Sequence, residues 1–296
     1  MTRDNLLTIA AAALCVGVTG ALANDAARPH AVVSPAAHMS ASAPAPAAPP
    51  VVNQTPMALQ AARAVLDGVG VESGARLTKV QSAVNTLAAN VKRQSDPNAL
   101  KLAVQAYYSY KTAHPEQVRK PYLYFVDYGL DSRTPRGYVF DMQALKVVEG
   151  PFMVAHGRGS AAPSEGRPTR FSNRNGSNAT SLGLYLAQET YNFTGKTAGQ
   201  RYSSVGLRLK GLSGSYNSKA RARGVVAHGA PYVTASRAGR SEGCPAVEPA
   251  RAQRILPKIA NGGLVFLFSP LDRTWMRQDP WANGDLGALD QLASAE

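Results

Sequence analysis

The chain has 296 residues, a net charge of +13, 45% hydrophobic residues and two cysteines. This length accommodates one large domain or two small ones with a real core. The positive balance suits anionic surfaces such as envelope phosphates and wall-peptide carboxylates, but no basic block is interleaved with aromatics as a nucleic-acid-binding strip requires, which excludes nucleic acid as a partner.

Residues 1–23 read as a signal peptide: Arg3 in a polar start, an apolar run from Leu6 to Val18, and Ala21-Leu22-Ala23 as a small-x-small cleavage site. Gly17 and Gly20 break the run short of the ~20 residues that span a bilayer, so no stable membrane span is expected after cleavage. Leu14 is too bulky before Cys15 for a lipoprotein signal. The protein is therefore expected in the periplasm or cell envelope, with Cys244 its sole mature cysteine and no internal disulfide. An unpaired thiol in an oxidising compartment persists when it is buried and inert, or when it is used.

Residues 24–56, rich in Ala, Pro, Ser and Val, read as an extended, disordered tether. Residues 57–115 carry three helical patches, 57–66, 74–93 and 97–112. The second has Leu77, Val80, Val84, Leu87 and Val91 at helical spacing, and the third opens on Ser95-Asp96-Pro97, a helix-start signal. These helices are expected to pack on the body of the protein.

From residue 116 to 270 the period changes. Seven short runs rich in Val, Tyr, Phe and Leu (PYLYFVDY, RGYVFDM, KVVEGPFMVAHG, LGLYLAQETY, YSSVGLRLKGL, RGVVAHGAPYV and GGLVFLFSP) are separated by Gly, Pro, Asn and Ser. Such punctuation predicts a mainly β domain, a mostly antiparallel β-sandwich or partly closed barrel. Between two runs, Pro249 to Ala260 predicts a short helix limited by Pro257. Residues 271–296 read as a loosely packed C-terminal cover.

The densest chemical signal is Val225-Val226-Ala227-His228-Gly229, followed 16 positions after the histidine by Cys244 in Gly239-Arg240-Ser241-Glu242-Gly243-Cys244-Pro245-Ala246. A loop that turns back between them brings imidazole and sulfur together. The thiolate is the nucleophile, and an ordinary thiol of pKa ~8.5 is only a few per cent ionised near neutrality, so a neighbouring base is needed. The Gly229 carbonyl is the expected partner that fixes the His228 tautomer. Gly243 permits a tight turn, so that the amides of Gly243 and Cys244 point at the oxygen of a tetrahedral intermediate.

His228, followed at this spacing by Ser241-x-Gly243-Cys244, resembles the L,D-transpeptidase catalytic domain, or YkuD-like fold. The run GRSEGCPAV, with HGRGS at His156, FSNRNGS at Phe171 and RGVVAHG at Arg223, is similar to a branch of murein L,D-transpeptidase catalytic-domain proteins, over roughly Leu100 to Pro270. The resemblance implies a thioester acyl-enzyme formed on the third residue of peptidoglycan stem peptides, with loss of the terminal D-alanine and transfer to an amine or to water. It makes Cys244 the nucleophile, His228 the base, Gly229 the orienting carbonyl and Gly243 with Cys244 the oxyanion donors. Ser241 matches the family's Ser/Thr position. Glu242 replaces the usual His, and Pro245-Ala246 also departs from the pattern.

Among the remaining polar residues, Arg223 and Arg240 are placed to hold a stem carboxylate, while Ser172, Asn173 and Ser177 suit either a polar loop over substrate or plain turn chemistry. His156 lies either along the same cleft or, the favoured reading, at the edge of a loop. No cofactor and no metal are expected, since His156, His228 and Cys244 lack the close local pairs of a zinc site. Two alternatives stay open: a catalytically inactive, basic wall-binding protein, and a general secreted cysteine protease, although the papain pattern places Cys before His. Oligomeric state, acyl acceptor and preferred third residue are not readable.

Overall fold

The computed structural model describes residues 79–283. The expected signal segment 1–23, the tether 24–56, the helical patch 57–66 and Leu77 lie outside the described residues. A helix over 79–88 (α1) is followed by α2 (Ala99–Ala113). Val80 and Leu87 of α1 are buried and Val84 half-buried, as their spacing predicts. The start of α2 falls later than the Ser95-Asp96-Pro97 signal. Ser95 is drawn away to the buried Asp127 carboxylate, to which its N–H donates at 2.7 Å and its hydroxyl at 2.5 Å.

All seven apolar runs become strands: β1 (Tyr122–Asp127), β2 (Gly137–Asp141), β3 (Lys146–Phe152) with the short β4 (His156–Gly157), β5 (Gly183–Thr197), β6 (Gln200–Gly211), β7 (Val226–Gly229) and, late in the chain, β10 (Leu264–Phe268). Two dipeptide strands, β8 (Arg240–Ser241) and β9 (Ala246–Val247), add to them. The main sheet runs β3-β2-β1-β10-β5-β6-β7-β9, and β4 pairs with β8 in a separate ladder. The mainly β class is thus as expected, realised as an open sheet with β3 and β9 at its edges. Most pairings are antiparallel, but β1–β10, β7–β9 and the separate β4–β8 ladder are parallel. Parallel neighbours need a crossover, and α3 (Pro249–Ile259) intervenes before β10.

β10, Leu264-Val265-Phe266-Leu267-Phe268, is buried at every position, the continuous apolar run of a strand covered on both faces. α2 packs on β1 and β10, and α3 packs on β6 and β7. Pro249 opens α3 at its first turn, where a missing N–H is harmless, and Pro257 sits in the last turn without ending the helix.

Two differences from the sequence reading matter. β5 and β6 continue past their apolar runs as one long hairpin arm, paired out to Thr197 and Gln200 and closed by Ala198 and Gly199, both at positive φ. Positive φ at both central residues is the two-residue turn whose twist matches the strands. The expected loose cover after Pro270 instead begins with α4 (Arg273–Gln278), whose Trp275 is wholly buried against Phe266 and Phe268 of β10 and donates from Nε1 to Asp279 at 3.0 Å. A single Trp in a polar segment gives no period to read, so its burial was not foreseeable. Among the described residues no helix is long and apolar enough to cross a membrane.

Candidate active site

β7 carries His228 and pairs in parallel with β9, with His228 opposite Ala246, two residues after Cys244. The Cys244 turn and the histidine thus meet at one edge of the sheet through backbone pairing. His228 is buried, and its Nδ1 lies 3.0 Å from the Gly229 carbonyl. A carbonyl only accepts, so Nδ1 carries the hydrogen and the neutral ring keeps its lone pair on Nε2. Burial holds the imidazole pKa down to about 4, with the Gly229 bond opposing the shift, so the ring is neutral at neutral pH. The Phe193 ring of the hairpin arm lies on the imidazole, 4.1 Å between centroids and 24° between planes.

Cys244 is half-buried. Its Sγ lies 3.9 Å from the Gly224 carbonyl, and it makes no hydrogen bond to the His228 ring among the described residues. Burial raises the thiol pKa; the Val226 N–H and the Arg223 charge lower it, and the Glu242 carboxylate raises it. The resting pair is therefore thiol and neutral imidazole.

The turn before the thiol is fixed by Ser241, whose hydroxyl donates to the Cys244 carbonyl at 2.7 Å and accepts from the Gly243 N–H at 3.2 Å. Ser241 thus shapes the turn and is itself buried. Gly243 adopts φ +123, where side chains are rarely found, and a Cβ there would approach the Ala179 carbonyl at 3.0 Å. Of the two expected oxyanion donors, the Gly243 N–H is turned to Ser241, whereas the Cys244 N–H has no protein partner among the described residues.

The flanking polar residues are held by the protein itself. Arg223 donates to the carbonyls of Ser172 (2.7 Å) and Ala179 (2.8 Å) and to the hydroxyls of Ser177 (3.2 Å) and Ser181 (3.3 Å). It staples segment 172–181 beside the Cys244 turn, with its guanidinium spent on that segment. Asn173 joins the same segment to the next turn: its amide donates to the Ser215 carbonyl at 2.9 Å and its oxygen accepts from the Lys219 N–H at 3.1 Å. The Ser172 hydroxyl accepts from the Arg174 N–H at 3.1 Å. Arg240 donates to His156 and to the carbonyls of Ala162 and Glu165.

His156 is no edge residue. Pairing of β4 with β8 sets it opposite Arg240, and it is wholly buried, with Arg136 Nη2 2.8 Å from Nδ1 and Arg240 at Nε2. Burial, reinforced by both guanidinium charges, holds its pKa down to about 2. Arg136, itself buried, donates to the Val154 and Leu130 carbonyls and lies over the Tyr128 ring at 4.8 Å. This cluster escaped the sequence reading because Arg136 stands 20 residues from His156 and a buried arginine looks like any other in a basic chain. Glu242 is likewise occupied: Arg158 Nε reaches both of its oxygens at 2.8 Å. Among the described residues no group of His, Cys, Asp or Glu side chains converges as metal ligands do.

Residues 91–268 match the L,D-transpeptidase catalytic domain. The chain belongs to this family. No curated protein matches it. Solved structures similar to this L,D-transpeptidase domain include an L,D-transpeptidase from Mycobacterium smegmatis, 16% identical, with a TM-score of 0.31, covering 50% of this chain and 58% of that one. An L,D-transpeptidase from Mycobacterium tuberculosis H37Rv is 15% identical, with a TM-score of 0.30 and coverage of 50% and 57%. One from Xylanimonas cellulosilytica is 16% identical, with a TM-score of 0.30 and coverage of 50% and 61%. The chain therefore spans about three fifths of the length of these structures.

Proposed function

We propose that the chain is a peptidoglycan L,D-transpeptidase or L,D-carboxypeptidase that works through a thioester on Cys244, with His228 as general base, in the periplasm or cell envelope. One observation carries this reading. The lone cysteine among the described residues sits in a glycine turn with its N–H free, and the next strand pairs in register with a buried histidine whose Nδ1 is tied to Gly229.

With thiol and imidazole both neutral at rest, the proton moves during attack. Sγ bonds to the stem carbonyl carbon as Nε2 takes the thiol proton, and the Cys244 N–H stabilises the resulting oxyanion. Collapse breaks the C–N bond, and the imidazolium returns its proton to the departing amine. An amine or water then attacks the thioester, its proton passing to Nε2 and on to the sulfur. Attack requires the sulfur to turn from the Gly224 carbonyl toward Nε2. The fixed Arg223 charge favours the thiolate that forms in passing. The basic chain suits an anionic wall surface.

The decisive experiment is intact-mass analysis of purified protein after incubation with a carbapenem, and product analysis after incubation with disaccharide tetrapeptide. An adduct absent from C244A supports the nucleophile, and 3–3 cross-linked dimers distinguish transfer from trimming to tripeptide. A folded protein that forms no adduct and alters no stem peptide overturns the reading in favour of an inactive wall-binding protein.

A further inference from the structure

The β5–β6 arm reaches beyond the sheet and bears Tyr191, Phe193 and Tyr202 on its half-buried positions. Two of these rings lie over directly paired glycines: Tyr191 over Gly206 and Tyr202 over Gly195, where a Cβ would meet the rings at 2.7 and 2.4 Å. Gly206 is also paired with His228. The absence of a side chain between the arm and the histidine clears the space through which Phe193 reaches the imidazole. Phe193 also contacts Tyr191 and Tyr202, at 6.3 and 6.1 Å between centroids, so its own orientation is fixed from both sides.

We infer that Phe193 is a positioning residue for the base: stacked on His228, it shields one face of the imidazole from water and fixes the ring plane in which Nε2 is presented to the cysteine. The inference rests on the proposed role of His228. Two restraints determine the ring, the Nδ1 bond to Gly229 in its plane and the stack across its face, and together they leave no free rotation about the side chain. An apolar ring on one face also denies the charged imidazolium hydration there, which favours the form that holds a lone pair on Nε2.

Of the titratable groups on the elements around the histidine, among them Tyr191 on β5, Tyr202 and Arg208 on β6, Tyr232 after β7, Cys244 before β9 and Glu248 ahead of α3, none acts on the ring as strongly as burial and the Gly229 carbonyl. Removal of the covering ring is therefore the perturbation that speaks most directly to its titration.

The experiment compares wild type, F193A and F193Y by NMR titration of the His228 ring carbon-bound protons, alongside the pH dependence of carbapenem acylation. F193A should raise the His228 midpoint by about one pH unit or more and move the acid limb of acylation upward with it, while F193Y restores both. Thermal melting establishes that each variant is folded. An F193A protein that is folded and titrates at the wild-type midpoint overturns the inference. If the midpoint moves as expected but wild type forms no acyl adduct, the hold of Phe193 on the His228 ring stands, while the proposed function, and with it the presentation of a base, falls. If F193A does not fold, F193L, which keeps bulk but not the flat ring, decides by the same titration.

Discussion

Protonating His156 should cost the fold heavily, and the size of the effect follows from its surroundings. Both ring nitrogens face guanidiniums, which only donate, and a protonated ring has no acceptor left to offer. The unfolded chain takes up a proton on this histidine near pH 6.5, whereas the folded chain holds it off to about pH 2. The folded-state pKa is the lower one, so the unfolded state binds more protons throughout that window. Stability is then full above pH 6.5 and falls as pH drops, by about 1.4 kcal/mol per pH unit for one proton.

Acidification from pH 6.5 to 5.0 should accordingly cost about 2 kcal/mol through His156 alone. His228 acts with the same sign down to about pH 4. The buried carboxyls of Asp127 and Asp279, raised by burial, act with the opposite sign. A comparison of wild type with H156Q removes these shared contributions. Guanidinium unfolding followed by tryptophan fluorescence, at pH 7.5 and 5.0, should show the wild-type stability advantage over H156Q shrinking by about 2 kcal/mol. If the two proteins lose stability in parallel, within about 0.5 kcal/mol, the imidazole is not held neutral and the argument from the two guanidiniums is wrong.

Further outcomes follow from other parts of the molecule. G243A forces a side chain into φ +123 against the Ala179 carbonyl; it should lower carbapenem acylation at least tenfold while costing about 1–3 kcal/mol of stability, measured by adduct kinetics and denaturant unfolding. E242Q removes a carboxylate that raises the Cys244 thiol, so the midpoint of iodoacetamide alkylation against pH should move down, and an unchanged or higher midpoint contradicts it. N217A strands the Ser213 N–H and the Leu184 carbonyl, each bonded to the Asn217 amide at 2.8 Å; a loss of about 2–4 kcal/mol is expected in urea unfolding. W275A empties the space against β10 and should cost about 3–5 kcal/mol, which a peripheral, weakly attached segment would not lose.

Strand positions were legible because burial of one or both faces imposes a pattern on Val, Tyr, Phe and Leu, as in β1 and β10. The outer half of the hairpin arm was not, since Asn192, Thr194 and Lys196 face solvent and Gly195 and Gly199 read as loop punctuation. His228, Gly243 and Cys244 stood out because a histidine and a cysteine at this spacing, the latter behind a glycine, form a pattern that few other arrangements of residues share. The work of Arg223, Arg240, Ser172 and Asn173 did not, because an arginine or asparagine in a string of letters gives no sign of whether it faces a ligand or a neighbouring carbonyl. Phe193 lies just past the apolar run that ends at Tyr191, so it was not read as part of a strand; its partner lies two strands away, and only the register Tyr191–Gly206–His228 brings the rings together.

Because pairing of β7 with β9 holds the two arms of the site, the ten residues from Ala230 to Gly239 are relieved of that task. They close on themselves through the Val233–Ala238 bridge and the Gly239 N–H to the Tyr232 carbonyl at 2.9 Å. Val233 and Ala238 are packed with Met153, Ala155 and Ala246, so only the exposed tip from Thr234 to Arg237 is a place where length and sequence can drift between related proteins without moving the paired strands at its base.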